Sequence, residues 1–575
     1  MVVSTAASPV LYREQVGRST PHDEVDRCLH QLVIARSRWR DTALALRIRL
    51  ARLCLAGTGE WADRWVAAAC QAKGLDPDTP AASEEMATGP MAVSRYLQLL
   101  IATLSDIEKY GLPQLPGEIV TGPAGQLRVQ VFPARGLFDS ILFRGFRGHA
   151  WMRPSVTRQN LPDHLAGEYR RRAATEGTAL VLGAGNVAAI AATDMFAKLF
   201  HEGRVVLLKM NPVNEYLGPI FEAAFGALVE EGLLRVIYGG AEVGSYATHH
   251  ELVDEVHITG SVQSHDTIVW GPPGPDRQWR LEHGGPVLTK PITSELGNVT
   301  PWIVVPGPYT DRQLNFQAEN VASTIVNNAS FNCIATKLII TWRGWPDRER
   351  FLDKIRAVLA GVPRRRAYYP GAFERFRRFT GSEAGDSDGT LPWTLVGNVD
   401  PDEAPHWFSE ESFVCACAET ALEAAGEEHF LDRAVEFANE RVWGTLGAGM
   451  MVHPRFRRRP GNEARFWRAV AHLRYGTVAI NHWPALAYAM MTLPWGGYPG
   501  GTLADPQSGI GWVHNTYMLD GVEKSVLEGP LVLSPKPFWF PSHRRAHRLA
   551  RKVLELYQQP RWWKLPGLAP WALLG

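Results

Sequence analysis

A chain of 575 residues is too long for one ordinary hydrophobic core, so two or three domains are expected. Sixty basic and 59 acidic residues leave a net charge of +1, which removes any global electrostatic reason to bind nucleic acid or anionic lipid. Six cysteines are too sparse for a disulfide framework, and no run nears the roughly 18 apolar residues of a membrane span, so a cytoplasmic protein is expected.

Residues 1–10 (MVVSTAASPV) lack a basic segment followed by an apolar one, so no secretory leader is read there. Residues 1–125 read as a helical N-terminal region, with apolar residues at helical spacing in 40–55, 61–73 and 91–110 and no evident chemistry. Residues 126–132 (QLRVQVF) alternate polar and apolar as a half-buried strand does, and are taken to open a unit spanning 126–285. From 178 onward short apolar strands (179–182, 204–209, 234–238, 256–259) alternate with helical segments (187–200, 220–233 and a piece ending at 253). That rhythm implies a parallel sheet covered by helices, whose ligands gather beyond the carboxyl ends of the strands. Asn186, Lys209, Gly240 and the Gly260-Ser261 pair fall at those ends, which points to a nucleotide site.

A second α/β unit is read over 286–455, with strands at 302–305 and 337–341 and a helix at 311–326. Asp311 is the expected N-cap of that helix, and Leu314, Ala318, Val321, Ala322 and Ile325 form its apolar stripe. Residues 381–389 read as a surface loop. Between helix and strand lies Asn327-Asn328-Ala329-Ser330-Phe331-Asn332-Cys333, a polar setting that would display a thiol rather than bury it. Cys28, Cys54 and Cys70 lie in apolar helical surroundings and read as inert buried thiols. Cys415 and Cys417 are expected on one strand face, but no matching Cys/His pair has zinc spacing, so no metal is expected. The arginine runs 364–366 and 457–459 read as solvated faces. The chain ends in a basic, aromatic tail, 537–575, that could rest on a membrane surface or on a neighbouring subunit.

Several separate motifs share one order. Asn186 precedes Lys209 by 23 residues, and Glu295 stands in Ser-Glu-Leu-Gly-Asn. Cys333 follows, then Glu411 and Phe413 in Glu-Glu-Ser-Phe, the segment 476–481 and Pro494-Trp495-Gly496-Gly497-Tyr498. In this register, over roughly 178–532, the chain resembles the aldehyde dehydrogenase superfamily. The resemblance implies a Rossmann-like dinucleotide domain (126–285), a catalytic α/β domain (286–455), and a segment 456–575 that returns to the cofactor domain and carries oligomerisation and tail elements. It implies a homodimer or homotetramer that oxidises a small aldehyde to a carboxylic acid with NAD or NADP. Cys333 would be the nucleophile, Asn186 the oxyanion donor and Glu295 the base that activates water against the thioester. Lys209 and Glu411 would meet the two riboses, Phe413 the nicotinamide ring, and Gly260 and Ser261 the pyrophosphate.

The sequence departs from the family pattern in its flanks. Asn186 sits in Ala-Gly-Asn-Val-Ala, His265 stands where a glycine is expected, and Ser-Phe-Asn precedes Cys333. Pro212 replaces a glutamate that would repel a 2′-phosphate, which leaves NADP open. Two alternatives stand beside this expectation: an acyl-thioester reductase working in reverse, and a catalytically retired scaffold or lipid-surface protein. The aldehyde itself depends on distant loops and is not legible in one sequence.

Overall fold

Two sheets, one large and one small, carry the molecule in a computed structural model that describes residues 17, 19–122, 125–170, 176–383 and 389–575. The leader reading over residues 1–10 and most of the loop expected at 381–389 lie outside those residues. The smaller sheet runs in the order Gly509–Ile510, Ile292–Glu295, Glu255–Thr259, Thr178–Leu182, Val205–Lys209, Leu234–Ile237. All its pairings are parallel except that of Gly509–Ile510 with Ile292–Glu295. The strand Val205–Lys209 (VVLLK) is buried at every position, as expected where helices cover both faces. Strand order reverses between Thr178–Leu182 and Glu255–Thr259, because the chain first builds outward to Leu234–Ile237 and then returns to the other side. Such a reversal opens a crevice at the carboxyl ends of the two strands. Asn186 follows the first strand and Gly260-Ser261 the second.

The larger sheet has ten strands, centred on Thr300–Val304 with Thr336–Trp342 on one side and Gly447–Met451 on the other. Leu127–Phe132, expected to open the dinucleotide unit, instead pairs here with Arg147–Met152. Of the later segments, Thr477–Ile480 and Val522–Glu528 also join the larger sheet, and only the two-residue strand Gly509–Ile510 returns to the smaller one. The helix Asp311–Val326 packs beside this sheet, and its N-cap is Thr310, not Asp311. Thr310 Oγ1 accepts from the Gln313 amide while Gln313 Oε1 accepts from the Thr310 amide, a reciprocal capping box that one residue further on could not form. Cys417 packs on one face of Ala416–Leu422, whereas Cys415 precedes that strand and joins the core on the other, so the two do not share a face.

The helical N-terminal region is not an appendage. His22–Arg40, Leu44–Lys73 and Ala92–Tyr110 share one hydrophobic core with the smaller sheet, and Trp39 donates its indole N–H to the Leu199 carbonyl at 3.2 Å. The C-terminal helix Ala546–Gln558 joins the same core through Leu549, Ala550, Val553, Leu554, Leu556 and Tyr557. The tail's apolar helix face is therefore covered by its own chain, leaving Trp562 (70% exposed) and Trp563 (58%) beyond it. No described helix is long and apolar enough to cross a membrane. The arginine runs are not simple solvated faces either: Arg365 turns inward to Glu84 at 2.6 Å, and Arg457 pairs with Glu463 and Glu528.

Candidate active site

Cys333 lies just before the amino end of Thr336–Trp342, facing the crevice of the smaller sheet. The loop that carries it is polar but buried: Asn327, Asn328, Ser330 and Asn332 are all inside, and the thiol itself is half-buried. Asn328, Ala329 and Ser330 adopt left-handed backbone (φ 52°, 53° and 68°), a conformation that costs alanine and serine about 1–2 kcal/mol each. Side chains hold it in place. Asn328 donates to the carbonyls of Phe331 (2.8 Å) and Asn186 (2.9 Å), and its own amide N–H donates to Glu84 at 2.9 Å. Asn186, 8% exposed, donates through Nδ2 to the Phe331 carbonyl at 3.1 Å, which ties the crevice loop to the cysteine loop.

Glu295 ends its strand with its carboxyl 3.5 Å from Cys333 Sγ. It is 3% exposed, and among the described residues its Oε2 is a buried oxygen without a hydrogen-bond partner. Burial, and then the charge of Asp194, lift this carboxyl to about 8, against the Trp495 indole and the Cys333 thiol, which pull it down. The Cys333 thiol is pushed well above its ordinary value by burial and by the carboxylates Glu295 and Glu411, while Lys337 opposes them. The thiol's hydrogen bond favours the Glu295 carboxylate, while that carboxylate disfavours a thiolate on Cys333, so the two titrate as one coupled unit.

Two cavities meet at this pair. A polar cleft of about 660 Å³ is lined by Asn186, Gly260, Ser261, Glu411 and Phe413, and a second, apolar pocket lies behind; Cys333 and Glu295 line both. On the cleft side Ser261 caps the helix Val262–Trp270, its hydroxyl accepting from the Ser264 amide at 3.1 Å, so the helix dipole points into the cleft. Glu411 lies 3.3 Å from Lys337, and a Cβ at Gly297 would come within 2.1 Å of Glu411 Oε2, so only glycine fits beside that carboxylate. Phe413 packs edge-on against Tyr369 with ring centres 5.0 Å apart. Lys209 ends its strand buried, with the Met210 carbonyl at 3.3 Å as its hydrogen-bond partner, and burial lowers its ammonium to about 8. Of the residues expected at the nucleotide site, Lys209 and Gly240 do not line the cleft itself. His265 is buried below the helix start, its Nδ1 3.2 Å from Asp266.

Residues 150–375 match the model of the aldehyde dehydrogenase family. Solved structures align over most of the chain: the NAD-dependent aldehyde dehydrogenase of Sinorhizobium meliloti, with 16% identity, a TM-score of 0.59, and 90% of this chain and 88% of that one covered. An indole-3-acetaldehyde dehydrogenase in complex with NAD+ aligns with 17% identity, a TM-score of 0.60, and 88% and 89% covered. The NADP-dependent glyceraldehyde-3-phosphate dehydrogenase of Bacillus halodurans C-125, complexed with NADP, gives 16%, 0.58, and 88% and 92%. Residues 150–375 thus carry an aldehyde dehydrogenase family match, and the solved structures show the same fold over most of the chain.

Around this site stand residues that the sequence reading passed over. Lys73, from the N-terminal helices, is buried and donates to both Glu85 oxygens (2.9 Å each), to Asn328 Oδ1 (2.9 Å) and to the Asn186 carbonyl (3.2 Å). Lys337 donates to the Asn332 carbonyl at 2.7 Å beside its contact with Glu411. Asp194 lies buried between His257 (3.4 Å) and His514 (3.7 Å) and accepts from Thr259 at 2.8 Å. Burial raises this carboxyl, but the two histidines hold it well below the usual carboxylate range. Lys337 had a signal, a lysine four residues after the cysteine in an otherwise apolar strand start. Lys73 and Asp194 had none, since each lies in a helix whose partners are far away in sequence.

Proposed function

We propose that the protein oxidises an aldehyde to a carboxylic acid with a nicotinamide dinucleotide, through Cys333, Glu295 and Asn186. The observation that carries this reading is the 3.5 Å contact between a thiol and a buried, half-unpartnered carboxyl at the meeting point of two cavities. The polar cleft suits a dinucleotide: a capped helix start faces it for the pyrophosphate, Glu411 is an acceptor for a ribose hydroxyl, and Phe413 offers an apolar wall. Lys209, held behind the cleft, would complete the adenosine side. When bound, the nicotinamide supplies the hydride acceptor.

The chain's own residues perform the rest. Glu295 in its carboxylate form takes the thiol proton as Sγ attacks the aldehyde carbon, giving a thiohemiacetal on Cys333. The developing oxyanion is met by the second amide hydrogen of Asn186, whose first is anchored on the Phe331 carbonyl. Loss of hydride leaves a thioester on Cys333. Glu295, its first proton passed on to solvent, then takes a proton from water as the water oxygen attacks the acyl carbon; the carboxylic acid leaves and the thiol re-forms. A base in contact with the nucleophile favours hydrolysis over transfer to a thiol acceptor, which sets this reading above the acyl-thioester reductase. The test is Cys333→Ala, which should lose all aldehyde-dependent nicotinamide reduction while still binding NAD or NADP by calorimetry. Undiminished turnover in that variant would remove the assignment, and failure of the unaltered protein to bind either dinucleotide would favour a retired scaffold.

A further inference from the structure

The pocket behind Cys333 is built largely by segments outside the two sheets. Met91 and Ala92 come from the N-terminal helices and Trp539 and Val553 from the C-terminal tail, while Trp483 and Trp495 close it from the larger sheet's side. Among the described residues, charge on its walls is limited to Glu84, Arg95 and Glu295. Arg95 is already engaged: it grips both oxygens of buried Asp139 at 2.7 Å and donates to the Met490 carbonyl (3.0 Å) and the Tyr557 hydroxyl (3.1 Å), which uses four of its five N–H groups and pairs its charge. Glu84 is a carboxylate engaged by Arg365 and the Asn328 amide. A substrate with a carboxylate or phosphate at its far end would find no free cation there, and a buried anion without a partner is strongly disfavoured. The cavity volume is about 140 Å³, and an apolar cavity of about 150 Å³ is known to hold a benzene ring.

Resting on the reading of Cys333 as the aldehyde's nucleophile, we infer that the substrate is an uncharged apolar aldehyde whose tail is about six carbons in size, an aromatic ring or a short alkyl chain. The N- and C-terminal segments select it. The N-terminal helices supply one apolar wall and fix Arg95 in a neutralised state; the tail supplies the opposite wall. Burying each added methylene should raise kcat/KM about fourfold until the cavity is filled.

The experiment compares kcat/KM for acetaldehyde, butanal, hexanal, phenylacetaldehyde and succinic semialdehyde, with NAD and with NADP. Hexanal and phenylacetaldehyde should exceed both acetaldehyde and succinic semialdehyde by at least about a hundredfold, the fourfold step compounded over four methylenes. Equal or better use of succinic semialdehyde overturns the inference while leaving the proposed chemistry intact. In parallel, alkylation of Cys333 by iodoacetamide is timed in the presence of hexanamide or of succinamate, a measurement that needs no turnover. Hexanamide should protect and succinamate should not; equal protection by the two overturns the inference even if no aldehyde is oxidised, an outcome that would separately defeat the proposed function. Trp539→Ala should lengthen the preferred chain and Val553→Phe should shorten it. An unchanged chain-length profile in both variants would mean the tail does not select the substrate.

Discussion

The two cavities that meet at Cys333 differ in how they are made. The cleft is polar and is assembled at the carboxyl ends of successive strands, so its residues recur at intervals set by strand and helix lengths. The pocket is apolar and is assembled from the first hundred residues, the last forty and the loops between, brought together only by folding. The proposed dinucleotide chemistry lies on the first. The inferred choice of aldehyde lies on the second.

The comparison is broken most sharply at Asn186, which lines the cleft and ties it to the cysteine loop. Asn186→Ala should lower the rate of aldehyde oxidation by about 10²–10³, the usual cost of one oxyanion donor, with dinucleotide binding retained. A loss confined to KM would mean that the residue only shapes the cleft.

Lys73 tests whether the N-terminal helices belong to the site. Lys73→Met leaves Glu85 as an uncompensated buried carboxylate and should destabilise the protein by about 3–5 kcal/mol in urea unfolding. Lys73→Met combined with Glu85→Leu removes both charges and should recover most of that loss, without restoring activity, because the Asn186 carbonyl and Asn328 Oδ1 still lack the lysine's share of their hydrogen bonds. Recovery of full activity in the double variant would make the N-terminal region a cover and not a part.

This difference also explains what was legible in the sequence. Asn186, Lys209, Gly260 and Ser261 could be found because strand periodicity sets their positions, Cys333 because its neighbours are amides, and Glu295 only through the family resemblance. The exposure of that loop was misjudged: composition marks Asn327, Asn328 and Asn332 as polar, but only the fold shows that their hydrogen bonds are satisfied inside. Hydropathy misled for the tail in the same way, since the apolar stripe of Ala546–Gln558 gives no sign of whether a membrane, a subunit or its own chain covers it. Lys73 and Arg95 lie in helices that read as carrying no chemistry, and only the fold shows Glu85 and Asp139, the carboxylates buried with them.

The smallest expected effect concerns pH. Burial favours the neutral form of Glu295, so the base-competent carboxylate grows in as pH rises through about 8, and turnover should climb over that window. Asp194 contributes to that displacement. Asp194→Asn should therefore move the acid limb of the rate profile to lower pH, and an unmoved limb would mean that Glu295 does not titrate in the limiting step.

The most direct test is Glu295→Gln, mixed rapidly with aldehyde and dinucleotide while reduced nicotinamide is followed and Cys333 is mapped by mass spectrometry. With solvent left to take the thiol proton, acylation should slow, and hydrolysis should slow more: at most one reduced nicotinamide forms per site before turnover slows, and an acyl group is found on Cys333. Steady turnover at the unaltered rate, or an acyl group on any other residue, would contradict the roles assigned to Cys333 and Glu295.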